Sequence, residues 1–191
     1  KAVGVLTSTG QKFRSGSIVS AIGTGETVKL LLPEDLRQEG WAKEISTFKP
    51  SVCHFEVYIG FEGDITKHGA TRANHWFYES WDTNDGIWTG AADAPLQTMF
   101  VSFPSLKDPS HDPGPAKRHT CDMMVLADWS IVADFADGGA AERASEWSAL
   151  KERIEAQMLA FFARKFPALA PLITYHELGT PLATAAFTGH N

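Results

Sequence analysis

The sequence predicts an α+β fold, with an antiparallel or mixed sheet and helices packed on one face. Three patterns carry that expectation. Four runs in the middle of the chain alternate apolar and polar residues with a period of two, as strands with one buried face do. One later stretch repeats its apolar residues every three to four positions, the spacing of an amphipathic helix. The N-terminal residues read as a small β-hairpin.

Taken in order, Ala2-Val3-Gly4-Val5-Leu6 forms the first hairpin strand, Ser8-Thr9-Gly10 the turn, and Lys12 to Ile22 the returning strand. Gly23-Thr24-Gly25 then ends that strand. Glu26 to Leu32 is expected to make a helical turn with Thr24 as its N-cap and Pro33 at its end. Pro33 to Ile45 makes a second helical stretch, with acidic residues near its start as the helix dipole favours. The alternating runs are Val52–Phe61, Asn74–Glu79, Leu96–Phe103 and His119–Leu126, joined by turn-rich loops at Asp82–Gly90 and Asp108–Pro115. Gly138-Gly139 marks a loop. The clearest helix runs from about Ala141 to Phe166, with Trp147, Leu150, Ile154, Met158, Phe161 or Phe162, and Phe166 on one stripe and Pro167 ending it.

The chain has 191 residues, 43% of them hydrophobic and 21% charged, which is enough to build one core with a smaller appendage. A net charge of −6 argues against nucleic acid, whose binding needs clustered Lys and Arg. The longest apolar runs, such as Val28 to Pro33, are too short to span a bilayer. The long helix mixes Lys151, Glu152, Arg153 and Glu155 on its polar faces, which disfavours a membrane-surface role. Cys53 and Cys121 are the two cysteines, too few for a disulfide framework and suited to a reducing, cytoplasmic setting. Cys53-His54 and His119-x-Cys121 do not make a zinc site, because adjacent strand residues point to opposite faces. No metal is expected.

Free-standing catalytic motifs are absent. Gly23-Thr24-Gly25 lacks the third glycine of a dinucleotide fingerprint and the Gly-Lys-Ser/Thr of a P-loop. His176-Glu177 lacks the second histidine of a zinc-protease motif, and no nucleophile elbow occurs. No catalytic residue is assigned. The aromatic residues are more informative: Phe55, Tyr58, Phe61, Trp76, Phe77, Tyr78, Phe100 and Phe103 fall on the four strands. Such a sheet is either plain core or the wall of a pocket for a long apolar ligand. His75 and Phe77 face one way, Trp76 and Tyr78 the other, and the sequence leaves open which face is the pocket. Phe55, Tyr58, His75, Trp76 and Tyr78 are the substrate-binding candidates.

Four segments, in order, resemble the phytoene-desaturase-like FAD oxidoreductases, which include carotenoid desaturases, carotenoid isomerases and retinol-saturase-like proteins. They are Lys1–Leu32 with Val3-Gly4-Val5, Gly10 and Ile18-Val19-Ser20-Ala21; Phe103–Pro109 with Lys117–Thr120; the helix Leu150 to Phe166-Pro167; and Glu177-Leu178-Gly179-Thr180-Pro181-Leu182-Ala183-Thr184. In that family the last stretch leads into a glycine-rich segment lying against the flavin. The sequence contains neither that segment nor the N-terminal Gly-x-Gly-x-x-Gly.

The resemblance implies a substrate-domain piece of a flavoenzyme. Residues 1–32 would be the edge of the FAD-binding domain, 33–175 the substrate-binding domain, and 176–191 a truncated return towards the flavin. Ser20, Ala21 and Gly23 would lie on the FAD side, with Thr180 and Pro181 near the flavin ring. The implied chemistry is hydride exchange with a hydrophobic polyene or isoprenoid substrate: desaturation, saturation or isomerisation. FAD would belong to the whole protein and not be held tightly by this piece, which lacks the pyrophosphate-binding helix. The partners implied are that substrate and the missing FAD-binding domain, with the whole protein peripheral to a membrane. The rival reading is a non-catalytic module that binds hydrophobic ligands or lipidated partners.

Overall fold

The computed structural model describes residues 2–48, 52–82, 87–89 and 94–188. Most of the turn-rich Asp82–Gly90 segment, and the last three residues of the tail, lie outside them. The chain divides into two compact units, Lys1–Pro50 with Thr188–Asn191 and Ser51–Phe187. The fold is α+β: among the described residues it contains a five-stranded antiparallel sheet, a two-stranded hairpin and seven helices.

In the first unit, β1 (Gly4–Leu6) pairs antiparallel with β2 (Lys12–Arg14). Gly4 lies so close to the partner strand that an added Cβ would stand 2.3 Å from the Phe13 carbonyl oxygen. The returning strand is shorter than the expected Lys12–Ile22. At Ser15 the backbone turns, with Ser15 Oγ accepting from the Ser17 N–H and donating to the Ser17 carbonyl. Ile18 and Val19 therefore lie outside any strand, and Val19 is exposed. Gly23-Thr24-Gly25 consequently ends no strand.

Nor is Thr24 an N-cap. The cap is Gly23, whose φ of 91° only glycine adopts freely, and Thr24 is the first residue of α1 (Thr24–Glu26). The chain continues as a π-helical turn, Thr27–Leu31, and stops before Pro33. The expected single helix over Pro33–Ile45 is two, α2 (Glu34–Arg37) and α3 (Gly40–Ser46), separated where Glu39 adopts an extended conformation.

In the second unit the four alternating runs become β3 (Cys53–Glu62), β4 (His75–Tyr78), β5 (Thr98–Ser102) and β6 (Arg118–Ala127). A fifth strand, β7 (Ile173–Gly179), completes the sheet in the order β4-β5-β6-β3-β7. The short α4 (Pro104–Lys107) follows β5, and Gly138 caps α5 (Gly139–Glu142) at the expected loop.

Helix α6 (Ala144–Lys165) buries Ile154, Met158, Phe161 and Phe162, the stripe read from the sequence. Arg164 and Lys165 lie in its last turn, where the dipole favours cations. The core is the layer between this stripe and one face of the sheet. Phe55, Val57, Ile59 and Phe61 of β3 line it with Cys121, Met123 and Val125 of β6 and Met99 and Val101 of β5. Aromatic contacts knit the layers, with Phe162 6.1 Å from Phe61 and Phe161 6.3 Å from Phe77 between centroids. His176 Nδ1 on β7 meets Glu155 Oε1 on α6 at 2.7 Å.

Helix α7 (Pro181–Thr188) follows β7 directly. Thr180 is almost fully buried and its Oγ1 accepts the Ala183 N–H at 3.3 Å, while Pro181 occupies the first helical position. Leu182 then packs against the core.

Candidate functional site: the open face of the sheet

Alternation puts the other residue of each pair on the opposite face, where the rings remain half exposed: Tyr58 is 44% exposed, Trp76 52%, Tyr78 49% and Tyr175 54%. The registers arrange this face into rows across the strands. One row runs Trp76, Phe100, Met124, Glu56, Gly179, and is apolar over its first three members. The next runs Ser102, Asp122, Tyr58, Glu177. Neighbouring strands are about 4.8 Å apart and the two rows about 7 Å apart, the scale of a conjugated chain lying on a sheet.

The apolar row is a true contact surface. The Trp76 and Phe100 rings pack at 4.9 Å between centroids, tilted by 57°. Gly179 keeps the end of the row low: a Cβ there would stand 3.3 Å from Tyr58 Cε2. The polar row is electrostatically tuned. Tyr58 donates its hydroxyl to Glu56 Oε2 at 2.8 Å, and that bond to a carboxylate pushes the phenol up to about 12. Burial, reinforced by Glu56, raises the Asp122 carboxyl above the ordinary aspartate value, and Lys107 opposes that shift. Lys107 donates to Asn74 Oδ1 and to Ser102 Oγ, the latter at 2.7 Å.

The five substrate-binding candidates do not share a face. Tyr58, Trp76 and Tyr78 lie on the open one. Phe55 is fully buried in the core, edge-on to Trp88 at 6.2 Å, and His75 points the same way, between Phe77, Phe103 and Phe166. Phe100, Met124, Asp122, Ser102 and Glu56 join the open face without having been singled out as site residues. Their signal was parity: each shares its strand phase with an exposed ring or pairs with one that does.

Behind the sheet, Ser105 Oγ lies 3.3 Å from His119 Nδ1 and accepts the Thr120 N–H at 3.0 Å. Burial lowers the His119 pKa below the ordinary histidine value, and His111, 5.5 Å away between ring centroids, adds to the shift. The pair locks α4 to β6. Among the described residues, no group of three or more His, Cys, Asp or Glu side chains is placed to hold a metal. No helix among them is long and apolar enough to cross a membrane.

Ser20, Ala21 and Gly23 line an open hollow of about 460 Å³ in the first unit, together with Thr24, Thr27, Val28, Leu32 and Trp41. It does not fit an FAD pyrophosphate. Two of its hydroxyls are paired internally, Ser20 Oγ with Thr27 Oγ1 at 2.7 Å and Thr27 Oγ1 with the Gly23 carbonyl at 2.6 Å. No Lys or Arg is among its lining residues.

No family model matches the chain. Against curated proteins it is 24% identical over 197 residues to the all-trans-retinol 13,14-reductase of Danio rerio, covering 95% of this chain and 32% of that protein. It is 25% identical to the inactive all-trans-retinol 13,14-reductase of the same fish, with the same coverage. With the chloroplastic prolycopene isomerase of Arabidopsis thaliana it shares 26% over 95% of this chain and 28% of that protein. The chain thus spans about a third of the length of the curated relatives it matches. Over nearly its whole length it is a distant homologue of the retinol 13,14-reductases and prolycopene isomerases, the phytoene-desaturase-like group that its four sequence segments resemble.

Proposed function

We propose that this chain is the substrate-binding portion of an FAD-dependent oxidoreductase acting on a hydrophobic polyene or isoprenoid, with the open sheet face as one wall of the substrate site. The observation that carries the reading is the row Trp76–Phe100–Met124, with Trp76 half exposed and the other two partly so, in a homologue of proteins named for retinol and prolycopene. Flat rings and a flexible thioether suit an extended conjugated chain, because they supply area without demanding a directional partner. The flavin would supply hydride transfer in the whole protein, while this chain's residues orient the ligand and exclude water along its length. Thr180-Pro181, which starts α7 next to Gly179, is proposed as the approach to the flavin ring, and Ser20, Ala21 and Gly23 as an edge of the FAD domain. The pyrophosphate must be held by residues other than those lining the hollow.

Titration with all-trans-retinol, read by tryptophan fluorescence, tests the wall. Saturable quenching is expected, weakened several-fold by Trp76→Ala or Phe100→Ala at unchanged secondary structure. Binding that does not saturate, or that ignores both substitutions, refutes the reading. A stoichiometric, tightly held flavin on the purified chain would refute the assignment of pyrophosphate binding elsewhere.

A second reading is favoured by one observation: the chain matches an inactive reductase as well as it matches an active one. In that reading the same face holds a hydrophobic ligand or lipidated partner without turnover. Intact glycine fingerprints in the gene on either side of this sequence favour the oxidoreductase; degenerate ones favour the binder.

A further inference from the structure

The polar row of the open face holds hydrogen-bonding capacity that its own residues leave unused. Tyr58 is engaged by Glu56, and Glu177 accepts from Tyr175. The Lys107 ammonium is held by Asn74 and Ser102. Asp122, half-buried between Ser102 and Tyr58, accepts no hydrogen bond among the described residues; Glu56 and Lys107 act on it through charge alone. Ser102, 6% exposed, accepts from Lys107 and still has its own hydroxyl proton to donate. A half-buried carboxylate without a donor is costly to leave unmatched. One acceptor and one donor side by side complement an alcohol, which is itself one donor and one acceptor.

We propose that Asp122 and Ser102 form a hydroxyl-recognising subsite, which selects a polyene alcohol lying along the Trp76–Phe100–Met124 row over the corresponding hydrocarbon. The ligand hydroxyl donates to Asp122 Oδ and accepts from Ser102 Oγ, while its chain covers the neighbouring rings. The inference rests on the polyene-wall reading and adds to it which end of the ligand is read and by what.

The test compares three probes on the 191-residue chain: all-trans-retinol, its methyl ether, which cannot donate, and the deoxygenated hydrocarbon. Retinol is expected to bind about tenfold or more tighter than the hydrocarbon, the fold-change of one hydrogen bond to a charged group. The methyl ether should fall close to the hydrocarbon. Asp122→Leu is expected to bring all three within about twofold of one another. Asp122→Asn, which keeps an acceptor in the same shape, should retain part of the preference and so separate lost recognition from lost folding. Ser102→Ala should narrow the gap with Asp122 intact. Equal, saturable affinity of the unsubstituted chain for all three probes overturns hydroxyl recognition and leaves the apolar wall standing. A preference that survives both Asp122→Leu and Ser102→Ala overturns the residue assignment. Failure of all three to bind overturns the wall and the subsite together.

Discussion

Phe55 and Tyr58 lie three positions apart on β3 and face opposite sides of the sheet, so truncating each asks which side is core. Phe55 is 0% exposed and meets Trp88 edge-on at 6.2 Å. A buried phenylalanine removes about 150–250 Å² from water, which at about 25 cal/mol per Å² is worth about 4–6 kcal/mol before the chain relaxes. Phe55→Ala is therefore expected to cost about 4 kcal/mol, in the range of phenylalanine truncations in cores. For a chain of this size that lowers Tm by about 8–16 °C. Tyr58 is 44% exposed, and its hydroxyl bond to Glu56 is open to water. Tyr58→Ala should cost only about 1–2 kcal/mol in strand preference and cross-strand contact. Thermal melts followed by circular dichroism read the stabilities, and retinol quenching reads the ligand side. Phe55→Ala is expected to melt early while binding normally below its transition, and Tyr58→Ala to melt near the parent with weakened binding. Equal losses of Tm, or a larger one for Tyr58→Ala, would show that the faces are assigned the wrong way round.

His119 gives a pH-dependent counterpart. Its folded-state pKa lies below the ordinary 6.5 because of burial, so the unfolded chain binds a proton that the folded one resists. Stability should be intact above about 6.5 and fall as pH drops below it, and His119→Gln should flatten that fall in Tm between pH 7 and 5; an unchanged slope refutes it. Thr180→Ala removes the side-chain cap of α7 and should destabilise by about 1 kcal/mol, lowering Tm by about 2–4 °C. An unchanged Tm would mean that the cap bond carries no weight.

The strands that alternate strictly were legible because one buried face imposes a period of two. Phe55, Val57, Ile59 and Phe61 repeat in the sequence as they do in the core. Helix α6 was legible for the same reason at another period. β7 was not anticipated: it is an edge strand whose central residues, Thr174 to Glu177, are all exposed, so no alternation betrays it. Its β-branched and aromatic start, Ile173-Thr174-Tyr175, was the available hint. The second hairpin strand ends before Ile18-Val19, although that pair is apolar enough to continue it, because the local Ser15 hydrogen bonds redirect the backbone first. Within the site, parity alone separated Trp76 and Tyr78 from His75 and Phe77. Which pair met the helix depended on contacts with Phe103, Phe161 and Phe166, tens of residues away. Asp122 carries no sequence signal of its own, because a single acid in an apolar run reads as a solvent-facing gap until both neighbouring strands are placed.

The register of β7 slips once, between Gly60 and Phe61, so that Phe61 faces Ile173 and Gly60 faces Tyr175, leaving Thr174 as a surplus residue. In an unbroken strand Ile173 and Tyr175, two positions apart, would project the same way; across the bulge, Ile173 joins the core and Tyr175 stands 54% exposed. Chain length here is therefore as informative as residue identity. Deleting Thr174 would close the bulge and leave Ile173 and Tyr175 on the faces they already occupy, whereas deleting a regularly paired residue of β7 would turn one flank of the strand over. Thr174 should accordingly be a position where β7 can lose a residue and keep its faces, while its regularly paired positions tolerate substitution far better than deletion.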